Sequence, residues 1–141
     1  MTVDKERLEK KIRYIKENLD KLREIRKLDR KGFLNDYRNY DTAKYNLQVT
    51  IEALIDIGNH IISRKNYGVP KTNAETFRIL GEKNILPEEK VKLYTSMARF
   101  RNMVVHLYEE IDEGEIYDIM QDHLEDFEYF IKVIYNDYLK D

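Results

Sequence analysis

The chain has 141 residues, contains no cysteine and carries a net charge of −2, with 25 Lys or Arg residues against 27 Asp or Glu residues. This length is typical of one domain with its own core, so we predict a single domain over residues 1–141. The lack of cysteine excludes disulfides and cysteine-based zinc sites, and the charge balance lacks the basic excess typical of a nucleic-acid-binding domain.

No segment has the roughly 18 consecutive apolar residues that a membrane-spanning helix needs. The N-terminal segment "MTVDKERLEKKIRYIKENL" also lacks the continuous apolar stretch of a signal peptide. We therefore expect a cytoplasmic protein that does not contact a membrane.

The first predicted element is an amphipathic helix. Apolar residues recur at spacings of three and four between Leu8 and Leu22, and Lys, Arg and Glu fill the other faces. We interpret the charged side as a solvated face, with phosphate steering as the alternative. The segment "LDRKGFL" interrupts this pattern, and a second helix is predicted over about 33–64.

The remaining elements are also helical. The loop "KNYGVPKTN" leads to a short helix predicted over about 74–83, and Pro87 suits the first turn of the next helix. Asp112 and Glu115 form a capping-box pattern that predicts the start of the last helix. Since no strand pattern occurs, we predict an all-α fold, an antiparallel four-helix bundle with an additional short helix.

The stretch "ARFRNMVVHLYEEID", residues 98–112, places Arg101, Asn102, His106 and Tyr108 in an otherwise apolar helical segment. A histidine can take a proton from a ribose 2′-OH or give one to a leaving 5′-oxygen. An arginine can hold two phosphate oxygens and stabilise the charge that develops there. The pattern thus permits metal-free RNA cleavage through a cyclic phosphate. Alternatively, these side chains decorate a solvated face near a helix C-terminus, where Arg and His are favoured.

The spacing poses a geometric problem. Arg101 and His106 are five residues apart, which separates them by roughly 140° around an ideal α-helix. The helix could tighten or unwind in its last turns, or a two-fold dimer could build one cleft from two copies of the motif. The neighbouring stripe of Tyr94, Ala98 and Val105 is apolar enough to be the interface of such a dimer.

Asp56, His60 and Arg64 are four residues apart and share one face of the second helix. Asp56 could orient His60 and tune its basicity, in the same cleft as Arg101. Alternatively, the three side chains form a satisfied polar cluster at a helix contact. His123 lies near the apolar stripe of the last helix and is interpreted as structural.

The octet "RNMVVHLY" resembles the R-x4-H-x-Y motif of HEPN-domain toxins of the HepT type. The segments "IDIGNHII", "GVP", "LPEE" and "RFRNMVVHLYEEID" follow one another in the order and approximate spacing of that family, so the resemblance covers nearly the whole chain. It implies an all-α HEPN bundle that forms a homodimer and places the motifs of both subunits in one cleft.

The resemblance also implies a function: a metal-independent endoribonuclease without a cofactor, acting as the toxin of a type VII-like toxin–antitoxin pair. Arg101 and His106 would be the catalytic pair that cleaves RNA, with Asn102 as a supporting polar residue. Asp56 and His60, which the four-residue spacing places on one helix face, are predicted as further supporting residues.

The implied partner is a minimal nucleotidyltransferase antitoxin that transfers AMP from ATP to Tyr108. The added anionic group would block the cleft and repel RNA phosphates. The alternative is a non-catalytic helical module that binds a nucleotide or nucleic acid, or that only scaffolds its nucleotidyltransferase partner.

Overall fold

The computed structural model describes residues 2–107 and 111–141, with only the backbone described at position 107. Within these residues there is no strand, and the predicted all-α class is confirmed. The helices in chain order are α1 Lys5–Arg26, α2 Arg30–Leu34, α3 Tyr37–Arg64, α4 Asn73–Glu82, α5 Glu88–Asn102 and α6 Glu113–Ile134. Two π-helical turns continue α5 and α6, at Met103–Leu107 and Tyr135–Leu139.

Side-chain caps fix where the helices begin. Asp4 accepts a hydrogen bond from a first-turn N–H of α1, Thr72 does the same for α4, and Asp112 does so for α6. The second predicted helix is divided in the structure. The short α2 ends before Asp36, whose carboxylate accepts from the N–H of Arg38 and begins α3.

The long helix α3 is the central element of the bundle. It packs against α1, α4, α5 and α6, and its buried residues therefore cover more than one face. The helices α1 and α3 run antiparallel, because the N-terminal cap of α1 contacts His60 near the end of α3, whereas Lys11 contacts the earlier Asp56. This pairing sets the geometry of the cleft discussed below.

The prediction that Tyr94 and Ala98 belong to a dimer interface is wrong. Both side chains are fully buried in the core of the bundle. The Tyr94 hydroxyl donates to the carbonyl oxygen of Asp126 at 2.6 Å, and its ring packs edge-on against Phe130. The helix α5 packs against both α3 and α4 and reaches α6 through Tyr94, so its buried arc is wider than a single stripe.

Along the described chain, no helix combines the length and apolar character that crossing a membrane requires.

Candidate functional site

The helix that carries the motif changes its winding within the motif itself. After Asn102 the backbone forms the π-helical turn Met103–Leu107, in which hydrogen bonds join residues five apart instead of four. A residue five positions ahead therefore lies closer to the same face than in an α-helix, where the separation is roughly 140°. The structure thus shows local unwinding, which brings His106 round toward the face of Arg101.

The His106 side chain is exposed on this turn. Met103, at the start of the turn, is also at the surface, with 36% of its area accessible. A substrate can therefore approach the imidazole directly from solvent. Tyr108, the predicted modification site, lies outside the described residues.

Arg101 is held by an acidic residue of the central helix. Its Nε and Nη2 atoms both lie 2.8 Å from Oε2 of Glu52, and only 20% of the arginine side chain is exposed. The same oxygen accepts a weaker hydrogen bond from Nε2 of Gln48 at 3.3 Å. Such charge-assisted bonds are about twice as strong as neutral ones, so Glu52 fixes the plane of the guanidinium.

Asn102 holds the other side of the guanidinium. Its Oδ1 accepts from Nη1 of Arg101 at 3.2 Å and from Nδ2 of Asn73, the first residue of α4, at 3.3 Å. A guanidinium has five N–H donors, and Glu52 and Asn102 engage three of them. Two donors remain for an anionic group, and Asn102 contacts Arg101, the residue that it was predicted to support.

His60 lies in the contact between α1 and α3. It is 7% exposed, and its Nε2 accepts a hydrogen bond from the backbone N–H of Asp4 at 2.9 Å. Burial lowers the pKa of His60, and the positive charges of Arg7 and Arg64 lower it further. The imidazole is therefore neutral and serves as the acceptor for the residue that caps α1.

Asp56 is paired with a different residue from the one predicted. Its Oδ2 lies 3.0 Å from Nζ of Lys11, and among the described residues no hydrogen bond joins Asp56 to His60. Arg64, the third member of this face, donates to the carbonyl oxygen of Thr2 at 3.2 Å. All three residues thus contact the segment that begins α1.

Glu52, Asp56 and His60 lie at increasing distances along α3 from the contact with Arg101. Glu52 contacts the arginine directly, Asp56 lies one turn away at about 6 Å, and His60 lies two turns away at about 12 Å. Glu52 and Asp56 line one cleft between α1 and α3. Of the predicted supporting residues, only Asn102 contacts Arg101. Asp56 lines the same cleft as Glu52, the partner of Arg101, and His60 lies far from Arg101.

Glu52, Gln48 and Asn73 were not predicted from the sequence. A signal for the first two was present, because polar side chains recur every four residues along one face of α3, at Gln48, Glu52, Asp56, His60 and Arg64. Extending the predicted trio backward by one turn reaches Glu52, the partner of Arg101, and a second turn reaches Gln48. Asn73 has no such signal, because it approaches from a different helix.

Comparisons with known proteins identify the family of the chain. The chain matches the family described as Ribonuclease HepT-like over residues 15–134. The mRNA nuclease HepT of Shewanella oneidensis is 36% identical over 106 residues, which cover 75% of this chain and 80% of that protein. The tRNA nuclease HepT of Aphanizomenon flos-aquae is 29% identical over 132 residues, which cover 94% of this chain and 89% of that protein.

A solved structure shows the same fold. The tri-AMPylated HEPN toxin of Shewanella oneidensis, in complex with an MNT antitoxin, superposes with a TM-score of 0.86 at 32% identity. The match covers 92% of this chain and 97% of that one. The predicted helical HEPN bundle and the predicted class, a ribonuclease toxin, are confirmed. The chain belongs to the family of HepT-like ribonucleases.

Proposed function

We propose that this protein is a toxin that cleaves RNA without a metal ion, with Arg101 and His106 as its catalytic residues. One observation carries the assignment. Glu52 and Asn102 fix the Arg101 guanidinium with two donors left over, and the π turn beside it presents an exposed histidine. Family membership supports the nuclease class, and this geometry supports the choice of residues.

The reaction is an internal phosphoryl transfer. The ribose 2′-oxygen forms a bond to the adjacent phosphorus, the bond from phosphorus to the 5′-oxygen breaks, and a cyclic phosphate and a 5′-hydroxyl result. A neutral histidine takes the proton of the 2′-hydroxyl, and a protonated histidine gives one to the leaving 5′-oxygen. The two remaining donors of Arg101 bind the non-bridging oxygens and stabilise the added negative charge.

This scheme needs two histidines, and we propose that a homodimer supplies them as two copies of His106 facing one cleft. Exposed apolar side chains near the site support an interface there. Met103 lies on the π turn, and Tyr45, two turns before Glu52 on α3, is 58% exposed. Burying such side chains between subunits would stabilise the dimer.

We further propose that a nucleotidyltransferase antitoxin neutralises the toxin at Tyr108. The solved relative is a tri-AMPylated toxin in complex with an MNT antitoxin. The phenolic oxygen would attack the α-phosphorus of ATP, pyrophosphate would leave, and the phenolic proton would pass to a base. Each AMP adds bulk and negative charge two residues from His106, which blocks the cleft and repels RNA. We propose that the toxin acts in the cytoplasm, where its RNA substrate is made.

The test is RNA cleavage in excess EDTA, by protein whose mass shows that it carries no AMP. Since the two curated relatives are named for mRNA and tRNA, both kinds of RNA are offered. We expect the wild type to leave cyclic phosphate ends, and Arg101→Ala and His106→Ala to be inactive. Arg99→Ala removes an exposed arginine of the same helix and is the matched control.

Other outcomes would contradict the proposal. Binding of RNA by the unmodified wild type without cleavage would indicate a nucleic-acid-binding module. A stable complex with the nucleotidyltransferase, with neither binding nor cleavage of RNA, would indicate a scaffold. Cleavage that His106→Ala retains would assign the chemistry to other residues.

A further inference from the structure

The cleft between α1 and α3 has a volume of about 620 Å³ and is open to solvent. The wall formed by α1 carries four cations, Arg7, Lys10, Lys11 and Arg13. The proposed reaction scheme does not use these cations. A row of cations beside a site proposed to cleave a phosphodiester suggests that the cleft binds phosphate groups.

The cleft leads to the catalytic arginine. Since α1 and α3 run antiparallel and Lys11 contacts Asp56, Glu52 lies one turn further along, near the level of Tyr14. Glu52 lines the cleft and also binds Arg101. The lining of the cleft on α1 runs from Glu17 back to Arg7, over about 15 Å at 1.5 Å per residue.

Most of the acidic groups in the cleft are already neutralised. Asp56 is paired with Lys11 at 3.0 Å, and Glu52 is paired with Arg101 at 2.8 Å. These pairs cancel in charge, so the remaining side chains decide the potential that a ligand meets in the cleft.

The remaining side chains are mainly cationic. Arg7, Lys10 and Arg13 form no salt bridge with any described residue, and Glu17 is the one other acid on the cleft wall. The stretch 5–16 contains six Lys or Arg residues and two Glu residues, although the whole chain has a charge of −2. The excess positive charge is therefore concentrated where the cleft runs.

An aromatic ring lies at the end of the cleft nearest the catalytic arginine. Tyr14 lines the cleft and is 40% exposed, and Val49 and Ala53 of α3 provide a buried apolar floor nearby. Cations that follow a backbone, together with an aromatic face for a base, are the features by which proteins bind single-stranded nucleic acids.

We propose that this cleft binds the single-stranded segment of the RNA substrate that adjoins the cleaved bond. Arg7, Lys10 and Arg13 contact successive phosphates, and Tyr14 stacks on a base. The inference rests on the proposed function and extends it by locating the substrate outside the catalytic residues. Because these cations contact only phosphate, they contribute affinity without selecting a sequence.

The test measures binding of a fluorescein-labelled single-stranded RNA oligonucleotide by anisotropy over a range of salt concentrations. All proteins carry His106→Ala, so the RNA stays intact. The variant Lys10→Ala/Arg13→Ala is compared with Lys16→Ala/Lys21→Ala, which removes two exposed cations of α1 outside the cleft. We expect the cleft variant to bind about tenfold more weakly and its salt slope to fall by roughly 1.4, since each phosphate contact contributes about 0.7. The control pair keeps the original slope.

Tyr14 is tested separately. Tyr14→Phe keeps the aromatic face and is expected to bind RNA as the wild type does, whereas Tyr14→Ala is expected to bind about tenfold more weakly. With His106 restored, the cleft variant should raise KM and leave kcat within about twofold, because the lost contacts are equal in ground state and transition state.

The possible failures are distinguishable. Cleavage by the wild type with equal salt slopes in the two paired variants overturns the cleft assignment and leaves the ribonuclease proposal intact. A reduced slope without wild-type cleavage supports the cleft and overturns the catalytic proposal. Unchanged RNA binding with loss of dimerisation or of antitoxin binding would assign the cleft to a protein partner and overturn the inference.

Discussion

Two histidines of this chain show how differently one side chain is used in two regions of the same bundle. His60 is buried where α1 meets α3, accepts a backbone hydrogen bond and has a lowered pKa. His106 is exposed on a π turn, five residues after an arginine that two neighbours hold in place. The first contributes to stability, and the second is available to a substrate.

The difference lies in backbone geometry and not in residue type. Each histidine follows a charged residue within about one turn, Asp56 before His60 and Arg101 before His106, so the sequence alone allowed a catalytic role for both. In α3 the regular α-helical winding stacks Asp56 and His60 along one line, where both contact α1 and its cap, and His60 is buried there. In the motif the backbone changes to a π-helical turn, and the His106 side chain projects where none of the described helices covers it.

Replacement of each histidine by alanine gives the largest expected contrast. His106→Ala should lower kcat/KM for RNA cleavage by roughly 10²–10⁴, because it removes the general acid and base. His60→Ala should keep kcat/KM within about threefold at temperatures where it stays folded, because His60 lies about 12 Å from Glu52 along α3. Initial rates on one RNA in excess EDTA measure both. Equal losses in the two variants would show that the two regions form one catalytic unit.

Glu52→Gln tests whether the motif needs its support from α3. Glutamine keeps an oxygen that accepts from Arg101 but loses the charge, so the guanidinium is held less firmly. We expect kcat to fall about tenfold, since small misplacements of catalytic groups have effects up to 10²-fold. KM should not rise, because the cleft becomes more positive.

The control for Glu52→Gln is Glu82→Gln, which removes an exposed carboxylate at the end of α4. It should leave both constants unchanged. If Glu52→Gln instead keeps its kcat and only lowers the unfolding midpoint, Glu52 is a structural residue and not a positioning one.

For the free energy of unfolding, the two histidines should rank in the opposite order, with His60 contributing more than His106. His60→Ala leaves the N–H of Asp4 without its acceptor in a partly buried position, which costs about 1–3 kcal/mol of unfolding free energy. His106→Ala should change it by less than about 0.5 kcal/mol, as exposed substitutions usually do. Urea unfolding of both variants, compared at matched m-values, gives the two numbers. A His106→Ala variant that is as destabilised as His60→Ala would contradict the contrast.

The helical periodicity predicted the bundle because each long helix presents apolar residues at spacings that no other element satisfies. It also placed His123 near the apolar stripe of the last helix, where Nδ1 of the imidazole lies 2.9 Å from Asp126 of the same helix. Periodicity failed at Tyr94 and Ala98, because a helix packed on more than one side buries more than one stripe. It could not place Asn73 near Asn102, since that contact depends on how α4 and α5 dock.

The π turn is the part of the site that the sequence could only suggest. A spacing of five between Arg101 and His106 conflicts with an α-helical face, and the conflict indicates that something must change. Which change occurs depends on the balance of hydrogen bonds and packing at the end of α5, and no single residue of "MVVHL" specifies it. The proposed catalytic pair was therefore suggested by resemblance, whereas its geometry required the structure.

The pH dependence of stability gives the smallest and most specific difference between the two histidines. The pKa of His60 is lowered in the folded state, so above about pH 6.5, its ordinary value, the imidazole is neutral whether folded or unfolded. As the pH falls below that value the unfolded chain gains a proton that the folded chain resists, and stability decreases. His60→Gln keeps a side-chain oxygen that can accept from Asp4 but removes the protonation of His60 from the pH dependence of stability. The carboxylates are common to both proteins, so their contributions cancel in the comparison. We therefore expect the advantage of the wild type over His60→Gln to be largest near pH 8 and to shrink toward pH 5 in urea titrations, roughly over the range set by these two pKa values. If the unfolding free energies of the two proteins instead run parallel with pH, His60 is protonated as easily in the folded chain as in the unfolded one. The contact between α1 and α3 would then expose His60 to solvent much as the π turn exposes His106.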